Sequence, residues 1–139
     1  MRLAVAALVA VGCVALGACG TSKEDEAKNH VCDARTDIKR EVDNLQQMTP
    51  STITADSVRK SLQAIGDDLK TIGQAQGDLS DERRSQVEQA NQAFAADVKE
   101  IGSTVLRSTS LEEAKTQLQQ SVTKLADTYS NTFAKVDCS

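Results

Sequence analysis

Residues 55–73 read ADSVRKSLQAIGDDLKTIG. The apolar residues Ala55, Val58, Leu62, Ile65, Leu69 and Ile72 recur at alternating steps of three and four. That rhythm puts all six on one face of an α-helix and leaves the charged residues on the other. A strand would need alternation at every second residue, which is absent here. The stretch therefore predicts an amphipathic helix that needs partners to cover its apolar face.

Three more segments keep the same rhythm. Val31, Ile38 and Leu45 recur every seven residues, with Val42 and Met48 on the same side. The third segment carries Val87, Ala90, Phe94, Val98, Ile101 and Val105. The fourth carries Leu111, Ala114, Leu118, Val122, Leu125, Tyr129, Phe133 and Val136. The links hold helix-ending and helix-starting residues. Pro50 stops the first helix and Thr54 caps the second. Gly77 stands where a C-terminal cap belongs, and Ser80 can cap the third helix. Asp81 and Glu82 suit the positive end of a helix dipole, and Ser110 with Glu113 has the spacing of a capping box. Helices are expected at residues 27–48, 55–76, 81–106 and 111–136.

Cys32 lies near the start of the first stripe and Cys138 at the end of the last. A disulfide needs Cα atoms about 4.4–6.8 Å apart. An even number of up-and-down helices returns the chain to its starting end, whereas three would leave the cysteines a helix length apart. The stripes and the pair together predict an all-α, antiparallel up-down four-helix bundle closed by a terminal Cys32–Cys138 disulfide.

The other two cysteines, Cys13 and Cys19, lie in the opening stretch MRLAVAALVAVGCVALGACG. Arg2 supplies a positive charge, and Leu3 to Ala18 is an uncharged run rich in Ala, Val and Leu. This is the pattern of an export signal, and it is shorter than the about 20 residues a membrane-spanning helix needs. Leu16, Gly17, Ala18 and Cys19 resemble the lipobox of bacterial lipoproteins. Ala10, Val11 and Gly12 make Cys13 a poorer match, because Leu is missing at the first position. The resemblance implies that a diacylglyceryl group is attached to Cys19 and that a dedicated peptidase cuts in front of it. An ordinary secretory leader cut after Ala18 is the alternative, and it would leave a free thiol in an oxidising compartment. The chain thus divides into a cleaved leader at 1–18, a lipidated N-terminus and flexible tether at 19–29, and a helical bundle at 30–139. Its expected place is the extracytoplasmic face of a cell membrane, which is also where a disulfide is stable. The whole resembles the small cell-envelope lipoproteins of high-GC bacteria.

Composition narrows the function. The net charge is −4, and loss of Arg2 with the leader makes the mature chain one unit more negative. A basic stripe for nucleic acid is therefore not expected. Two Phe, one Tyr and no Trp are few rings for a sugar platform or an aromatic cage.

His30 is the only histidine. The run His30-Val31-Cys32-Asp33 brings ligand types together, but oxidised cysteines cannot serve as thiolates, so neither a metal nor a cofactor is expected. The adjacent acids Asp67–Asp68 and Glu112–Glu113 point about 100° apart on a helix and do not make a catalytic pair. Asn91 falls beside the third stripe, where it either fixes register or contacts a ligand in an internal cleft. Gly66, Gly73 and Gly102 each follow an isoleucine of a stripe, where a missing side chain would let a neighbouring helix approach. DLKTIG (68–73) and DVKEIG (97–102) are alike, through either a duplicated hairpin or heptad composition. The expectation is a non-enzymatic lipoprotein that contacts another envelope protein. The alternative is a carrier for an apolar ligand such as a lipid, which would need a cavity among the stripes.

Overall fold

The computed structural model describes residues 22–49, 51–107 and 110–139, without the side chains of Val105, Leu106 and Leu111. The leader, Cys19 and Pro50 lie outside the described residues, as do the side-chain placements expected for Val105 and Leu111. Four helices are present: α1 Lys23–Gln47, α2 Ala55–Ala75, α3 Asp81–Arg107 and α4 Leu111–Asn131. Short 3₁₀ turns succeed α2 at Gln76–Asp78 and α4 at Phe133–Lys135.

Helix α1 starts earlier than expected. Residues 23–29 are helical, which corrects the flexible tether expected over that part of 19–29. The Ser22 hydroxyl accepts from the Asp25 amide at 3.1 Å, a side-chain cap on extended backbone. Glu24, Asp25 and Glu26 then occupy the first turn, where the helix dipole favours them. Ala27 is buried in the core, so this charged run has an inner face one methyl wide. Glu24 also reaches the start of α3, accepting from the Ser80 amide and pairing with Arg83, each at 3.3 Å.

Helix α2 begins as its sequence demands. Thr54 and Ser57 exchange reciprocal side-chain-to-amide hydrogen bonds at 3.0 Å. Its other end departs from expectation, because Gly77 lies inside a 3₁₀ turn with no left-handed φ. Arg84 of α3 replaces the glycine cap. Its guanidinium donates to the carbonyls of Gln76, Gly77 and Leu79 at 3.3, 2.9 and 2.9 Å. Ser110 caps α4 by accepting from the Glu113 amide at 3.2 Å.

Helix α4 stops at Asn131, short of the expected end at residue 136. Thr132 leaves the helical region with φ −120° and ψ −84°. The turn beyond it keeps Phe133 and Val136 in the core while steering Cys138 to Cys32. The disulfide forms with its Cα atoms 5.8 Å apart. Arg35 of α1 locks this segment by donating to the Val136 carbonyl at 2.7 Å. Tyr129 returns a bond by donating its hydroxyl to the Arg35 carbonyl at 3.2 Å.

The helices run up and down around one core. The α1–α2 and α3–α4 hairpins pack most extensively, the α2–α3 seam less so, and α1 against α4 closes the ring. Phe94, Phe133, Ile38, Ile65, Ile72 and Leu125 are fully buried. The Phe94 and Phe133 rings meet edge to face at 5.5 Å, and Tyr129 packs beside both. All three rings of the chain thus share one cluster at the disulfide-bonded end.

The glycines do not bring helices together. A Cβ added at Gly66 or Gly102 would meet nothing within 4 Å, and one at Gly73 would stand 3.6 Å from the Asn91 amide nitrogen. The similar segments 68–73 and 97–102 lie on α2 and α3, which are not equivalent members of two hairpins. Heptad composition is the explanation that remains.

Candidate functional site

Residues whose chemistry drew attention in the sequence are mostly dispersed. His30 is exposed on α1, with Nε2 3.8 Å from the Glu26 carboxylate. It borders a polar groove of about 390 Å³ between α1 and α2, shared with Lys23, Thr71, Gln74 and Asp78. Cys32 and Cys138 are tied to each other. Among the described residues, no group of three or more His, Cys, Asp or Glu side chains is placed to hold a metal ion. Glu112 and Glu113 occupy the first turn of α4.

Asp68 is half-buried on α2, and its neighbour Asp67 is exposed. Burial, then the nearby carboxylates of Asp37 and Glu41 on α1, hold the Asp68 carboxyl above its ordinary value. Asn91 sits in the α2–α3 seam over Gly73. Its Oδ1 is buried and has no hydrogen-bond partner among the described residues.

One polar cluster was not anticipated. Asp97 on α3 is 8% exposed. It accepts from the Thr128 hydroxyl of α4 and lies 3.1 Å from Lys124 Nζ. Lys124 also reaches Glu100 at 2.6 Å. Hydrogen bonds from the ammonium to Glu100 and Asp97 hold the Lys124 pKa above its ordinary value. Every charged group in this cluster has a partner of opposite sign, which is the arrangement of a structural clamp between helices.

A different kind of surface appears where the stripes fail to close. Ala55, Leu62 and Val98 all belong to the helical rhythm that predicts burial. Yet Ala55 is exposed, and Leu62 and Val98 are only half-buried. These three line a single groove of about 300 Å³ between α2 and α3, with Val58 and Gly102. Arg59 and Gln63 complete the lining, and Arg59 is its one charge. The cause lies in the seam. The N-terminal half of α2 faces Gly102 on α3, where no described side chain comes within 4 Å of a Cβ position. The apolar periodicity could name the residues but not which pair of helices would stand apart.

Searches of the chain against protein-family models, curated proteins and solved structures find no match.

Proposed function

We propose that the protein is a non-enzymatic cell-envelope lipoprotein, held by lipid on Cys19 at the extracytoplasmic face of a membrane, and that it works as a helical module for protein contact. The observation that carries this reading is the pairing of two features. Leu16-Gly17-Ala18-Cys19 resembles a lipobox, and the folded helix starts at Lys23, only four residues later. Four residues reach at most about 14 Å, so an anchor at Cys19 would hold the bundle close to the bilayer by its disulfide-bonded end. The contact role is supported by Ala55, Leu62 and Val98, stripe residues of α2 and α3 that the core leaves partly uncovered along one groove.

The test of the anchor is Cys19→Ser. Two acyl chains give stable attachment where one is marginal. The variant should leave the membrane fraction, and mass spectrometry of the parent protein should show the added diacylglyceryl group. Equal membrane retention of the variant and the parent would overturn the reading.

A further inference from the structure

We propose that the α2–α3 groove is a docking site for an amphipathic helix bearing an acidic side chain, supplied by the extracytoplasmic part of another envelope protein. The proposal rests on the lipoprotein reading above and adds the surface, the occupant and its height.

The groove is a preformed gap between two antiparallel helices. Ala55, Val58 and Leu62 form one wall, and Val98 and Gly102 form the other. Such a gap accepts the apolar side of a third helix, read by residues three and four apart. Gly102 leaves the floor open, with nothing within 4 Å of where a Cβ would sit. Leu62 and Val98 offer two aliphatic anchors that are half-covered without a partner. Arg59 stands at the rim with its side chain 62% exposed, paired among the described residues with Asp56 one turn away. A surface ion pair of this kind contributes little, so Arg59 is available to a carboxylate on an incoming helix.

The length of chain outside the described structure decides among occupants. The start of α1 and the end of α2 lie together, since Lys23 and Ala27 line one groove with Gln74 and Ala75. Leu62 and Ala55 are thirteen and twenty residues from the end of α2, which is about 20 and 30 Å along the helix. A link from Cys19 adds at most about 14 Å. With the bundle upright, the groove stands about 20–45 Å above the bilayer. Acyl chains still in the membrane do not extend that far, and neither does a transmembrane segment of a partner. A groove of about 300 Å³ is also at the lower limit of ligand-sized cavities. The fitting occupant is a folded element that itself stands clear of the membrane.

A photoreactive amino acid in place of Gln63, in the full-length chain expressed in its own envelope, tests this directly. The same residue at Gln120, exposed on α4, is the control. Adducts at Gln63 should map by peptide mass spectrometry to an extracytoplasmic helix with apolar residues three and four apart beside an acid. Gly102→Leu, which fills the floor without meeting a neighbour at its Cβ, should lower adduct yield at least tenfold with a melting temperature no lower than the parent's. Binding of the identified region, once purified, should weaken severalfold with Arg59→Glu. Adducts to lipid, adducts to a second copy of the chain, or insensitivity to Gly102→Leu would each overturn the proposal. Protein adducts at Gln120 with none at Gln63 would sink the groove but keep the contact module. Absence of protein adducts at both positions would remove both.

Discussion

Thr128 donates its hydroxyl to the carboxylate of Asp97 across the α3–α4 seam. Asp97 is almost wholly buried, and a buried carboxylate is tolerated only while its oxygens are partnered. Lys124 supplies the second partner from the solvent side. Thr128→Val preserves shape and removes the donor. Loss of about 1–3 kcal/mol is expected, the usual cost of leaving a buried acceptor short of a bond. Urea unfolding should show a lower midpoint at unchanged slope.

The Cys32–Cys138 bond spans 106 residues of sequence. Chain-entropy reasoning gives about 4–5 kcal/mol for a loop of that length. Replacing both cysteines by Ser should lower the melting temperature by several degrees or more and leave the helical circular-dichroism spectrum largely intact. Two free thiols in the oxidised, purified protein would contradict the structure.

Asp68 gives a pH dependence of defined sign. Burial and the neighbouring acids Asp37 and Glu41 raise its folded pKa above the unfolded value. The folded state therefore holds the proton more tightly, and its charged form costs stability at neutral pH. That cost is relieved as pH falls through the folded pKa and is absent below the ordinary value. Asp68→Asn should raise the melting temperature at neutral pH, with the gain shrinking to nothing below the ordinary carboxylate pKa of about 4. A gain that grew on acidification would refute the assignment.

Gly66 lies in the middle of α2, with open space where a Cβ would stand. Gly66→Ala should stabilise the protein by about 0.5–1 kcal/mol, the difference in helix propensity between the two residues. Thermal or chemical unfolding of the single variant is sufficient. A destabilised variant would show a contact that the open space does not contain.

Local pattern carried most of the architecture. Thr54 and Ser110 were legible as caps because the capping bond runs to an amide three residues away. Ile38, Ile65, Phe94 and Leu125 were legible as core from periodicity alone. The pairing of Cys32 with Cys138 was legible because it agrees with an even number of helices. The first turns of α1 were not, since a run of charges hides an inner face made only of Ala27. The end of α4 was hidden for another reason. Phe133 and Val136 keep the helical spacing, but Arg35, far away in sequence, collects the carbonyl that lets the chain leave the helix. Leu79 is buried in the α2–α3 turn with no periodic neighbour to announce it. The groove was half legible. Its residues stood in the stripes, but their exposure depends on how α2 packs against α3, which no single segment encodes.

The closing bond also decides how the molecule answers force. A pull applied at the head of α1 travels from Lys23 to Val31 before it meets Cys32. There the load divides between the rest of α1 and the chain's far terminus, and α2, α3 and α4 lie inside the covalent ring. Such a pull can peel the first turns of α1, and beyond Cys32 it is shared by the two arms of the ring while the sulfurs stay joined. In this arrangement the staple shares load between two arms of the chain, and reducing it would leave α1 to carry the pull alone.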